Sequence, residues 1–178
     1  MPIKTALGWD EFLAAGKPGQ RWEYIDGEVQ FMSPTGTRHG RAIHQISMAL
    51  GEYEKTHPEW ISFGADVAFT MASGDWLCPD AALVRPDRFG ADGIPEGPCP
   101  FPPDVAFEVL SPDDRRKEVL RKRRLYQLNH VLQVWIDPEE QMVEVIAADR
   151  PVRYFRREPV VIEELPGFRL DLFSSEEQ

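Results

Sequence analysis

The chain has 178 residues, 42% of them hydrophobic and 28% charged, which leaves room for a sizeable core and excludes a disordered chain. Its net charge of −10 at pH 7 excludes a uniformly phosphate-gripping surface, yet residues 115–124, RRKEVLRKRR, carry seven Lys or Arg against one Glu. No apolar run approaches the ~20 residues of a bilayer span, and Cys78 and Cys99 lack metal-site spacing.

Those bounds point to one domain over 1–178. The start, MPIKTALGWDEF, has no apolar centre of signal-peptide type. A cytoplasmic location without membrane association, structural zinc or disulfide is the expectation.

WDEFLAAG reads as a short helix. RWEYIDGEVQFM reads as a hairpin turning at Asp26-Gly27, a favoured two-residue turn. Alternation then puts Trp22, Tyr24, Val29 and Phe31 on one face and Glu23, Ile25, Glu28 and Gln30 on the other. Over 38–56 a helix is expected, with His39, Ile43, Ile46, Leu50 and Tyr53 on one stripe. Two strands follow, around 61–71 and 76–85, joined by the turn ASGD. The proline-rich run RPDRFGADGIPEGPCPFPP reads as a stiff extended loop, because proline removes backbone donors and fixes φ.

AFEVLSP (106–112) belongs to an inner strand. Val105, Phe107 and Val109 share one face; Ala106, Glu108 and Leu110 share the other, so both faces are apolar except at Glu108. SPDD offers an N-cap for a helix over about 113–129. VLQVWID and MVEVIAA form a second hairpin across DPEEQ, and YFRR, VVIEEL and FRLDLF supply short strands and a docked tail. Strands interleaved with two main helices give an α/β or α+β class built on a mixed sheet.

Burying an unpaired carboxylate is costly, so Glu108 demands a partner. Asp80, opening the apolar stretch PDAALV, would converge with it if the two strands are neighbours. Two such carboxylates repel, and each tends to take up a proton. A divalent cation relieves the conflict, and Mg²⁺ (or Mn²⁺) favours one or two carboxylates with waters and phosphate. Lys122 lies three residues after Val119 and four before Tyr126, on their apolar stripe, while Lys117, Arg121 and Arg124 point elsewhere. A purely structural buried ion cluster is the competing account of the same three residues.

The ordered set WEYIDGEVQFMSP, His39, PDAALV, FEVLSP, KRRLY, VWIDP and LPGFRLDLF resembles the Uma-type restriction endonuclease family of the PD-(D/E)XK superfamily, over about residues 9–173. The resemblance implies a restriction-endonuclease-like mixed sheet flanked by helices, with added hairpins. It implies a DNA-hydrolysing endonuclease with Asp80 and Glu108 as ligands of Mg²⁺ or Mn²⁺ and Lys122 as the third catalytic group. The superfamily's lysine, two residues after the glutamate, is replaced here by Leu110, and Lys122 on the next helix matches the family's displaced lysine. Glu28 and His39 also match positions of the family, as residues behind the ligands or assisting water. A homodimer is expected by analogy, with edge strands and aromatics such as Trp60 available for it. A non-catalytic binding or assembly module on the same scaffold is the alternative, favoured by the pI of about 4.9.

Overall fold

The computed structural model describes residue 11 and residues 22–31, 34–112 and 116–173. The helix expected over WDEFLAAG lies outside this set, apart from the helical, exposed Glu11, and so do Asp113 and Asp114 of the expected cap.

The first hairpin pairs β1 (Trp22–Ile25) with β2 (Glu28–Phe31) in the expected register, Trp22 opposite Phe31 and Ile25 opposite Glu28. Asp26 and Gly27 hold φ of 54° and 82°, the two positive values that a type I′ turn requires. Helix α1 (Thr37–Thr56) buries His39, Ala42, Ile46, Leu50 and Tyr53, with Ile43 half-buried at the margin.

The two long strands expected over 61–71 and 76–85 are each broken. β3 (Ile61–Phe63) and β4 (Phe69–Thr70) are separated at Gly64 and Asp66, the latter with φ 75°. β5 (Trp76–Leu77) and β6 (Ala81–Val84) are separated at Pro79, which has no N–H to give a ladder. The breaks let the chain change sheets: β4 pairs with β5, and β3 pairs with β6. The expected ASGD turn joins β4 to β5.

The proline-rich connection is pinned rather than free. It starts with one 3-10 turn (Pro86–Phe89), and Cys99 bridges to Phe69. The Cys99 N–H donates to the Ala68 carbonyl at 2.8 Å, and its carbonyl accepts from the Thr70 N–H at 2.9 Å.

Beyond it run β7 (Val105–Val109), α2 (Arg116–Leu128), β8 (Leu132–Asp137), β9 (Met142–Ile146), β10 (Arg153–Arg156), β11 (Val160–Val161) and β12 (Arg169–Leu170). A six-stranded mixed sheet has the order β10-β9-β8-β7-β6-β3, and a four-stranded sheet the order β2-β1-β5-β4. β11 and β12 form a two-stranded sheet. Only β7 and β8 of the large sheet run parallel, as their connection through α2 permits.

β7 explains the layering. Val105, Phe107 and Val109 pack with α1, β11 and β12 on one side. Ala106 and Leu110 pack on the other with Leu125 and Tyr126 of α2 and with Ile25, Phe69 and Leu77 of the small sheet. A strand covered on both faces gains about 1.5–3 kcal/mol for each large apolar side chain it buries. That packing carries one carboxylate inward with it.

Candidate active site

Glu108 is fourth of the five β7 residues, all buried. It takes the α2 side by the alternation of the pleat. Ala81 stands opposite Phe107 in the antiparallel β6–β7 ladder, so Asp80, one residue earlier, arrives beside Glu108. Its Oδ2 accepts the Val109 N–H at 2.9 Å. The two carboxylates are 3% and 6% exposed, which places them inside the protein rather than on its rim.

Helix α2 delivers the cation. Lys122 Nζ lies 2.7 Å from Glu108 Oε1 and donates to Oε2 at 2.8 Å. One turn on, the Tyr126 hydroxyl donates to Glu108 Oε1 at 2.6 Å. The neighbours point outward as their helical phase requires: Lys117 and Arg124 are exposed, and Arg121 pairs with Asp26 at 2.6 Å.

A third carboxylate joins the cluster unannounced by any motif for metal or catalysis. Glu23 of β1 is 3% exposed; its Oε1 lies 2.9 Å from Lys122 Nζ and accepts the Cys78 N–H at 2.9 Å. The sequence signal was that Glu23 shares a strand face with the apolar Ile25; the fold covers that face by placing β1 between β2 and β5. Tyr126 was legible as an apolar member of the Lys122 stripe, but its hydroxyl partner was not.

His39, 7% exposed, opens α1 and turns Nε2 to 3.5 Å from Asp80 Oδ2. Glu28 stands apart, with a side chain 72% exposed and 3.7 Å from Arg121. Trp60, expected on the surface, is buried, and Arg85 lies over its ring at 4.4 Å. Leu110, where the superfamily's lysine would stand, lines a cavity of about 360 Å³ with Ser111, Arg116, Arg123 and Asp137.

Charge in this space is unbalanced. Three carboxylates (Glu23, Asp80 and Glu108) gather around one ammonium. Burial, with Asp80 and Glu23 adding repulsion against the Lys122 attraction, pushes the Glu108 carboxyl up to about 7. For Lys122, burial works against the charge, but the Glu108 and Glu23 carboxylates outweigh it and raise its pKa. Burial and the Glu108 charge push the Tyr126 phenol well up, so it stays a donor.

A divalent cation matches the excess negative charge, and all the oxygens concerned are hard donors of the kind Mg²⁺ and Mn²⁺ accept. Among the described residues, no three His, Cys, Asp or Glu are arranged as a ready-made metal shell. A cation would rest on the Asp80 and Glu108 carboxylates, with water and substrate oxygens completing its sphere.

No helix among the described residues is long and apolar enough to cross a membrane. No curated protein matches the chain. The crystal structure of a putative nuclease belonging to DUF820 from Anabaena variabilis ATCC 29413 is similar over 96% of each chain, with a TM-score of 0.80 at 20% identity, and so shares this nuclease-like fold. The family described as Uma2, putative restriction endonuclease, matches residues 9–172. With nearly the whole length matched, the chain belongs to the Uma2 family.

Proposed function

We propose that this protein is a Mg²⁺- or Mn²⁺-dependent endonuclease that hydrolyses DNA phosphodiester bonds, with Asp80 and Glu108 holding the metal and Lys122 completing the catalytic set. One observation carries the reading: Lys122 reaches from α2 to within 2.7 Å of the buried Glu108. That is the group the resemblance required once Leu110 had taken the superfamily's lysine position.

A bound divalent cation would supply an activated water and offset charge growing on a phosphoryl oxygen. The rest falls to the chain's own residues. Asp80 is held in place by the Val109 N–H, and Glu108 by Lys122 and Tyr126, so hydrogen bonds fix both carboxylates in position. Lys122 keeps its positive charge in a buried site and can orient the attacking water or stabilise the pentavalent phosphate. Glu23 anchors the same ammonium from the opposite side. His39 lies beside Asp80, where it can assist a water.

A homodimer would suit duplex cleavage. Exposed Phe31 and Tyr154 lie on β2 and β10, which end their sheets; light scattering showing a monomer at micromolar concentration would remove that part. The test of the function is plasmid cleavage with Mg²⁺ or Mn²⁺ by the wild type, Asp80→Ala and Glu108→Ala. Cleavage by the wild type alone supports the reading. Absence of cleavage, or cleavage surviving Asp80→Ala, rejects it in favour of a binding module on a nuclease scaffold.

A further inference from the structure

Lys122 has two carboxylate partners, and they are held in different ways. Glu108 takes the ammonium on both oxygens, at 2.7 and 2.8 Å, and its Oε1 also accepts the Tyr126 hydroxyl at 2.6 Å. Both of these side-chain donors belong to α2. Glu23 meets the same ammonium through Oε1 at 2.9 Å, and that oxygen is fixed from elsewhere, by the Cys78 main-chain N–H at 2.9 Å. The hairpin that carries Glu23 is pinned as well. β1 pairs with β2 along its length and meets β5 at Tyr24 and Trp76. At the turn, the Asp26 N–H donates to the Asp75 carboxylate at 2.7 Å, and Arg121 of α2 donates to Asp26 Oδ2 at 2.6 and 3.0 Å.

A carboxylate offers about four lone-pair positions. Lys122 takes one on each oxygen of Glu108, and Tyr126 takes the second on Oε1. The position left is on Oε2, the oxygen that already accepts from Lys122 Nζ at 2.8 Å. A divalent cation and an ammonium on one oxygen repel each other, and most strongly in a buried site. Binding of a cation at Glu108 therefore draws that carboxylate away from Lys122. The ammonium is buried, and a buried charge without a partner is costly. Glu23 is the carboxylate that still touches it.

We propose that Glu23 is a positioning residue: it retains the Lys122 ammonium when Glu108 turns to the metal, so the cationic group stays at the site through the change. Glu23 need not move to do so, since the Cys78 N–H already fixes the oxygen concerned. The inference rests on the nuclease reading for its consequence, because a Lys122 released by Glu108 and kept by Glu23 is free to orient water or steady a phosphate. It also divides the work among the three carboxylates. Asp80 and Glu108 serve the metal, and Glu23 serves the lysine.

The probe is the Lys122 ammonium itself, followed as a solvent-protected proton–nitrogen NMR signal assigned through its own side-chain carbons. Mg²⁺ is the titrant because it is diamagnetic. Glu23→Gln keeps an oxygen for the Cys78 N–H and removes the charge; Glu108→Gln removes the other charge without any metal. Thermal unfolding and Mn²⁺ calorimetry are measured beside the spectra.

The wild-type signal should persist when Mg²⁺ saturates the protein, and the Glu108→Gln signal should persist in EDTA. In Glu23→Gln the signal should be present in EDTA and lost to solvent exchange as Mg²⁺ is added, with Mn²⁺ bound about 10- to 100-fold more weakly. A Glu23→Gln signal that survives Mg²⁺ would overturn the proposal, and so would a wild type that binds neither cation. Lower melting of Glu23→Gln with wild-type Mn²⁺ affinity would leave Glu23 a structural ion pair only. If Glu23→Gln does not fold, the other two proteins decide the matter, since loss of the signal in either rejects the role. Retention of Lys122 by Glu23 without plasmid cleavage by the wild type would uphold the positioning role and reject the nuclease chemistry. Cleavage lost in Asp80→Ala, with a Glu23→Gln signal indifferent to Mg²⁺, would do the reverse.

Discussion

Replacing Glu108 by glutamine distinguishes a metal ligand from an ion pair that holds the fold together. In the folded protein the Glu108 carboxyl titrates at about 7, against an ordinary 4.5, and burial is the largest cause. The folded state therefore keeps this proton to higher pH than the unfolded chain does. Its contribution to stability is full below about 4.5 and is lost as pH rises to about 7. The gap corresponds to about 3 kcal/mol of disfavour for the ionised form at pH 8.

Glutamine has no such pH dependence. Its carbonyl can accept from Lys122, its amide can donate to the Tyr126 hydroxyl oxygen, and Lys122 keeps Glu23 at 2.9 Å. Imperfect fit takes back part of the gain, so Glu108→Gln should be about 1–2 kcal/mol more stable than the wild type at pH 8 in EDTA. For a chain of this size that raises the melting temperature by about 2–8 °C. Added Mn²⁺ should reverse the order. At about 100 times its Kd it stabilises the wild type by about 2.7 kcal/mol and leaves the variant unmoved.

Thermal and urea unfolding between pH 5 and 8.5, in EDTA and in Mn²⁺, measures both halves. A variant destabilised by about 3 kcal/mol or more at pH 8 in EDTA would identify a structural ion pair and refute the argument. So would equal Mn²⁺ stabilisation of the two proteins.

Mn²⁺ affinity of the wild type should fall by up to about tenfold per pH unit below 7, because a proton competes for Glu108; a pH-independent isotherm between 5.5 and 7.5 would contradict this. Lys122→Met strands Glu23 and Glu108 without their shared ammonium and should cost about 3–5 kcal/mol in urea unfolding at pH 8, with cleavage abolished. Tyr126→Phe removes the 2.6 Å hydrogen bond to Glu108, at a cost of about 1.5–3 kcal/mol. Losing that donor disfavours the carboxylate, so the Mn²⁺-binding profile should move to higher pH; an unmoved profile would deny Tyr126 its positioning role. Cys78 and Cys99 are both buried, and burial pushes the Cys99 thiol up, so neither should react with a thiol reagent until the protein unfolds.

Local rules made much of this protein legible from its sequence. The I′ turn at Asp26-Gly27, the stripe of α1 and the two-faced burial of β7 follow from periods and turn chemistry that act over a few residues. The inward lean of Lys122 is of the same kind, since a residue between Val119 and Tyr126 in helical phase has one side to face. The convergence of Asp80 and Glu108 needed only that two apolar strands be neighbours.

Tertiary structure decided what depends on residues distant in sequence. Breaks at Gly64, Asp66 and Pro79 divided two expected strands between two sheets, because hydrogen-bond partners come from elsewhere in the chain. Trp60 was buried by α1 and Arg85, which no local pattern places there. Above all, Glu23 became the third carboxylate because β1 is laid against α2, 99 positions from Lys122. A strand's alternation shows which side chains share a face. Whether that face meets solvent, a core or an ammonium is settled only by what packs against it.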